Sequence, residues 1–232
     1  MFKPTDLFDL SQTTHAALFD GCEFSWDALK KLKAYIDAHT KDAPPHRFGL
    51  GVTIGPLVLI GEGTVIEEGA MIKGPAIIGR NCEIRHGAYI REHVVVGDGC
   101  VIGNSSELKH SFLFNGCQVP HFNYVGDSIL GHKAHLGAGV ICSNLKSLPG
   151  NVSVEVNGKP HDTGLRKFGA MLGDKADIGC NSVLNPGTVI GRGTVMYPLT
   201  NWRGVAGPNR IVKNKAAIEV IERRPVDSLT RK

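Results

Sequence analysis

His121 and Tyr124 stand three residues apart in the stretch HFNYVGD, and both carry groups that chemistry can use. A histidine with its ordinary pKa near 6.5 can take up a proton around neutral pH. Arg91 and Lys109 form a second suggestive pair, 18 residues apart. Two cations held side by side repel each other, and an anion such as a phosphate is their natural third partner. Base and cations together suit proton removal from a substrate that carries a phosphate. His135 and Asn144, also within reach in the sequence, could add further hydrogen bonds.

Such residues need a scaffold, and the spacing of apolar residues supplies one. Stepping by six from Ile54 meets Ile60, Ile66, Ile72, Ile78, Ile84, Ile90, Val96, Ile102, Leu108 and Phe114. A second train runs Leu172, Ile178, Leu184, Ile190, Met196. Neither a helix, with its period of 3.6, nor a plain strand, with its period of 2, gives a six-residue beat. Short repeats of this kind mark a β-solenoid, in which each repeat is one flat side of a coil. One large aliphatic points into the prism, and Gly, Asn or Asp turns the corner. Three sides make a coil of 18 residues, so Arg91 and Lys109 fall on the same side of adjacent coils, about 4.8 Å apart. The expected architecture is mainly β, with about seven coils.

Three domain-level segments follow. Residues 1–47 form an N-terminal helical extension, in which Ser25 is expected to cap a helix that places Trp26, Leu29, Leu32 and Ile36 on one apolar face. Residues 48–211 form the solenoid. Within it, residues 145–166 are an extruded loop whose alternating valines and Asn157-Gly158 signal a hairpin. Residues 212–232 form a C-terminal helix and tail.

Composition narrows the function. The 29 glycines among 232 residues, about 12 per cent against a usual ~7 per cent, fit a fold made of corners. The net charge of +4 is mild, and no Lys/Arg block tracks nucleic acid, so small anionic ligands are expected. Six scattered cysteines without a CxxC pair speak against both a zinc ribbon and a disulfide scaffold. With neither a signal peptide nor a membrane span expected, the localisation expected is cytoplasmic.

The stretch GNSSELKHSFLFNGCQVPHFNYVGDSILGHKAHLGAGVICSN resembles the acetyltransferase domain of the bifunctional enzyme that makes UDP-N-acetylglucosamine. The later TGLRKFGAMLGDKADIGCNSVLNPGTVIG is similar to archaeal sugar-1-phosphate nucleotidylyltransferase/acetyltransferases. These are hexapeptide-repeat acyltransferases, and the resemblance implies a left-handed parallel β-helix. It implies acetyl-CoA as co-substrate, with no metal, an amino-sugar 1-phosphate as acceptor, and a homotrimer. It makes His121 the general base and Arg91 and Lys109 the phosphate ligands, with Tyr124 and Asn144 bonding phosphate or sugar. Backbone near Ala138, together with Cys180 and Pro198, would line the coenzyme groove. His135 and Leu145 replace an asparagine and an aromatic of the family pattern, which bears on the choice of sugar. No Gly-rich nucleotide signature precedes residue 50, so nucleotidyl transfer by this chain is not expected. The alternative is a sugar-phosphate-binding or scaffold β-helix without turnover. A zinc carbonic anhydrase of the same fold is a poor match, since His132 and His135 are only three apart.

Overall fold

A computed structural model describes residues 2–46 and 49–215. Its main body is a parallel β-solenoid with three faces of eight strands each. The first face runs from Thr53–Ile54 through Tyr89–Ile90, Glu107–Lys109 and Tyr124–Gly126 to Asn201–Trp202. The second runs from Val58–Ile60 to Val205–Ala206, and the third from Val65–Ile66 through Gln118–His121 to Ile211–Val212. Eight strands per face exceed the expected seven coils, because the extruded loop takes no coil out of the stack. Residues of the beat fill the prism: Ile72, Ile78, Ile84, Ile90, Ile102 and Leu108 are buried in one aliphatic cluster.

The beat shortens by one residue after Leu108. Leu113, not Phe114, enters the prism, and the register becomes 17 residues per coil, with Leu108 opposite Val125 and Leu113 opposite Leu130. Phe114 instead belongs to a second core, stacked 5.0 Å from Phe8 and 5.5 Å from Phe19.

That second core lies on the outer side of the second face. Ile77, Val95, Phe112, Ile129, Met171 and Val189 point outward there and are buried by the N-terminal segment. The segment comprises α1 (Pro4–Leu7), two 3-10 turns and α2 (Asp27–Thr40). Leu29, Leu32 and Ile36 of α2 are buried, as is Trp26 just before it. Ser25 does not cap α2. Its backbone N–H donates to the Phe2 carbonyl at 2.7 Å, which draws it fully into the core, and its hydroxyl has no partner among the described residues. The Asp27 carboxylate accepts instead from the Phe24 N–H at 2.9 Å.

The hairpin pairs Ser153–Val156 with Lys159–Asp162, turning at Asn157 and Gly158 with φ of 51° and 76°. Both central residues of a type I′ turn need such positive values. The hairpin folds back onto its own chain: Val152 and Val154 are buried in the second core, and His161 packs 4.5 Å from Phe24. The expected C-terminal helix lies outside the described residues. Among those described, no helix is long and apolar enough to cross a membrane.

Candidate active site

On the first face, alternate residues point outward and form columns across the coils. Ile90 pairs with Leu108, and the Arg91 N–H donates to the Leu108 carbonyl at 2.8 Å, which sets Arg91 beside Lys109. Lys73 joins the same column one coil earlier, its N–H donating to the Ile90 carbonyl at 2.8 Å. It too is 18 residues from Arg91, a signal present in the sequence but not used. Three stacked cations need compensation, and carboxylates provide it. Arg91 Nη1 lies 2.9 Å from Glu107 Oε1, and Nη2 lies 3.6 Å from Glu92 Oε1. Lys73 Nζ is 3.7 Å from Glu92 Oε2, and Lys109 Nζ is 3.6 Å from Asp127 Oδ2. The column is therefore an alternation of charge rather than a bare cationic strip.

Asp127 is the hub of this network. It is buried, it sits at the corner between first and second faces in the left-handed region (φ 45°), and it follows His93 and His110 with φ of 60° and 47°. One carboxylate oxygen faces His110 Nδ1 at 2.8 Å, while the other accepts from Asn144 Nδ2 and faces Lys109. Burial alone would raise the Asp127 pKa. The His110 and Asn144 hydrogen bonds and the nearby Lys109 charge outweigh it and hold the carboxyl below its ordinary value. Tyr124 behaves oppositely, its phenol pushed up by burial and by the charges of Glu107 and Asp127. His93 Nε2 in turn lies 3.2 Å from Asp37 Oδ1 of α2, tying the N-terminal layer to this corner.

Tyr124 and Asn144 meet over Gly126. A Cβ there would lie 2.6 Å from both the Tyr124 hydroxyl and Asn144 Nδ2. Gly126→Ala is accordingly expected to push both side-chain ends away while leaving the buried strand in place. The measurable outcome is a weakened acceptor KM with Tm nearly unchanged, and an unchanged KM would mean that neither group meets the acceptor.

The corner between the third and first faces holds the other candidates. His121 ends the strand Gln118–His121, Phe122 turns the corner with φ 53°, and Tyr124 begins the first face. His121 is exposed, its ring 6.5 Å from that of Phe122, and the ring makes no hydrogen bond among the described residues. Its carbonyl accepts from the Gly139 N–H at 3.0 Å, the Ala138 carbonyl from Asn181 at 2.8 Å, and the Cys180 carbonyl from Leu199 at 2.9 Å. His121, Ala138, Cys180 and Pro198 thus follow one line along the corner across successive coils. The Cys180 thiol is exposed and free, and Phe122 and Leu199 expose apolar side chains beside this line.

His135 stands apart. It stacks on Gln118, not on His121, and its Nδ1 lies 2.8 Å from Asp177 Oδ1 on the next coil. His132 Nδ1 faces the Asn115 carbonyl at 2.8 Å. Among the described residues, no group of three His, Cys, Asp or Glu side chains is placed to hold a metal. A cleft of about 380 Å³ adjoins Asn144, lined by Ser143, Leu145, Leu148, Asn185 and Arg203.

The family described as the GMPPB C-terminal domain matches residues 72–158. A bifunctional sugar-1-phosphate nucleotidylyltransferase/acetyltransferase of Sulfurisphaera tokodaii is 38% identical over 96 residues, covering 41% of this chain and 24% of that protein. The bifunctional protein GlmU of Methanococcus aeolicus is 35% identical over 173 residues, covering 72% of this chain and 42% of its own. The chain therefore spans less than half the length of these relatives. Among solved structures, a GDP-perosamine N-acetyltransferase of Caulobacter crescentus, in complex with CoA and GDP-perosamine, aligns with a TM-score of 0.32 and 18% identity, over 68% of this chain and 52% of that one. Over its solenoid, the chain is a homologue of the GlmU and sugar-1-phosphate nucleotidylyltransferase/acetyltransferase proteins, with the hexapeptide-repeat fold of acyltransferases.

Proposed function

We propose that this chain moves the acetyl group of acetyl-CoA onto the amine of an amino-sugar 1-phosphate resembling glucosamine-1-phosphate. One observation carries the proposal: an exposed histidine with an unengaged ring stands at the corner between the Ala138–Cys180–Pro198 line and the cation column. The amine nitrogen attacks the thioester carbonyl carbon while His121 takes the proton that this nitrogen loses. The carbon–sulfur bond then breaks, and the thiolate leaves with the proton returned by His121. Backbone N–H groups near Ala138 would stabilise the oxyanion formed between these steps. Arg91 and Lys109 take the phosphate in competition with Glu107 and Asp127, and Tyr124 and Asn144 orient the sugar. His135, engaged with Asp177, has no part in this scheme. The coil is proposed to be left-handed and the assembly a homotrimer, both by the same resemblance, and light scattering tests the second.

The assay is thiol release from acetyl-CoA with a panel of amino-sugar phosphates. Losing a hydrogen bond to a charged group costs about 1.5–3 kcal/mol. Lys109→Ala is therefore expected to raise the acceptor KM by about tenfold or more while coenzyme affinity holds. An unchanged acceptor KM would remove Lys109 from the phosphate site. The carboxylates already paired with Arg91 and Lys109 also suit a site that holds a ligand without turnover. Sugar-phosphate binding with no thiol release would favour that alternative.

A further inference from the structure

We infer that Asn123 is a positioning residue for this reaction, an assignment that rests on the proposed role of His121. Each coil has an inward-facing residue at the corner between third and first faces, whose carbonyl accepts a backbone N–H from the preceding coil. The column runs Ala70, Ala88, Ser106, Asn123, Val140, Ser182, Thr200, joined by bonds such as Tyr89 N–H to Ser106 and Glu107 N–H to Asn123, each 2.8–2.9 Å. All seven are buried. Six of them are small or β-branched; the one long amide stands in the coil that presents His121.

Its contacts show what the extra length reaches. Asn123 Oδ1 accepts from the His121 N–H at 3.1 Å and from Ser106 Oγ at 3.4 Å. Nδ2 donates to the Gly137 carbonyl at 2.8 Å and approaches the Val140 carbonyl at 3.4 Å. Its own N–H donates to Ser106 Oγ at 3.2 Å. One side chain thus ties three successive coils, and two of its bonds end on the segments that matter. One fixes the backbone of the base. The other fixes the Gly137–Val140 turn, which carries Ala138. An amide can both donate and accept at this reach, whereas a carboxylate only accepts and a hydroxyl is too short. The corner needs such a clamp because Phe122, a bulky residue, adopts φ 53° there with its side chain exposed. Displacement of a reacting group by about 1 Å costs on the order of 100-fold in rate.

Serine and threonine already occupy this column, so Asn123→Ser and Asn123→Thr test the role without introducing a foreign corner residue. Both are expected to lower kcat by about 10- to 100-fold, with acceptor KM within about twofold, because the cations belong to a different column. Amide hydrogen exchange at His121 should quicken in both. A purely structural residue would instead lower Tm and leave kcat intact well below it. Combined with His121→Ala, the serine variant should cause no further loss, since Asn123 acts through the base. Wild-type kcat in both single variants, or a full additional loss on top of His121→Ala, overturns the positioning role alone. Full turnover in the His121→Ala protein overturns the base assignment, and the positioning role with it.

Discussion

Turnover of the His121→Ala protein is expected to fall by roughly 10²–10⁴-fold, the usual contribution of a positioned base. An amine attacking a thioester loses a proton as the new bond forms, and the ring of His121 is the exposed imidazole in line with Ala138. Its hydrogen-bonding capacity is uncommitted, while His110 and His135 already face carboxylates. His121→Asn should behave like the alanine variant, because it keeps a polar group but offers no useful base. Coenzyme affinity should hold in both, since the groove residues lie on later coils. Tm should hold too, because the side chain is exposed and the backbone bonds of the corner do not depend on it. Steady-state kinetics with coenzyme titration separates these quantities. Wild-type kcat in both variants would take His121 out of the chemistry.

The parallel solenoid could be read from the sequence because its physics is local. Each face needs one inward aliphatic, and parallel stacking turns a fixed sequence interval into spatial adjacency, which is why Arg91 and Lys109 could be placed side by side. What escaped depended on the register changing. The missing residue after Leu108 is silent because Leu113 and Phe114 are both apolar, so either could continue the beat. Once the coil shortens to 17, Lys109 faces Gly126 and Asp127 becomes a diagonal neighbour, so its hub position was hidden. The same shift separates His135 from His121. The covering of the second face was visible in principle. Leu59-Ile60, Ile77-Ile78, Val95-Val96, Ile129-Leu130, Met171-Leu172 and Val189-Ile190 double the aliphatic on every third side, as a strand does when both its surfaces are buried. The destination of the hairpin was not visible. Its valines show that one side is buried, but no periodicity says against what.

That doubled face sets the largest stability effect to be expected. Leu32 of α2 is fully buried in the layer over the second face, so truncating it to alanine costs about 2–5 kcal/mol. Leu32→Asp adds an unpartnered carboxyl to the same cavity, which must either stay charged without solvent or take up a proton. The combined cost should reach about 4 kcal/mol or more, lowering Tm by about 10 °C or more for a chain of this size. Ala34, two residues on, is exposed, and Ala34→Asp should cost under about 1 kcal/mol. The contrast between two aspartates on one helix separates burial from helix propensity. Thermal melts over a range of protein concentrations add a second test, because Leu32 packs here against its own chain. A Tm loss for Leu32→Asp that is independent of concentration fits that packing, and one that grows on dilution would mean the layer is held by a neighbouring copy. Equal melting temperatures for the two variants would mean that the second face does not depend on its cover, and its six outward aliphatics would then have no physical reason to be apolar.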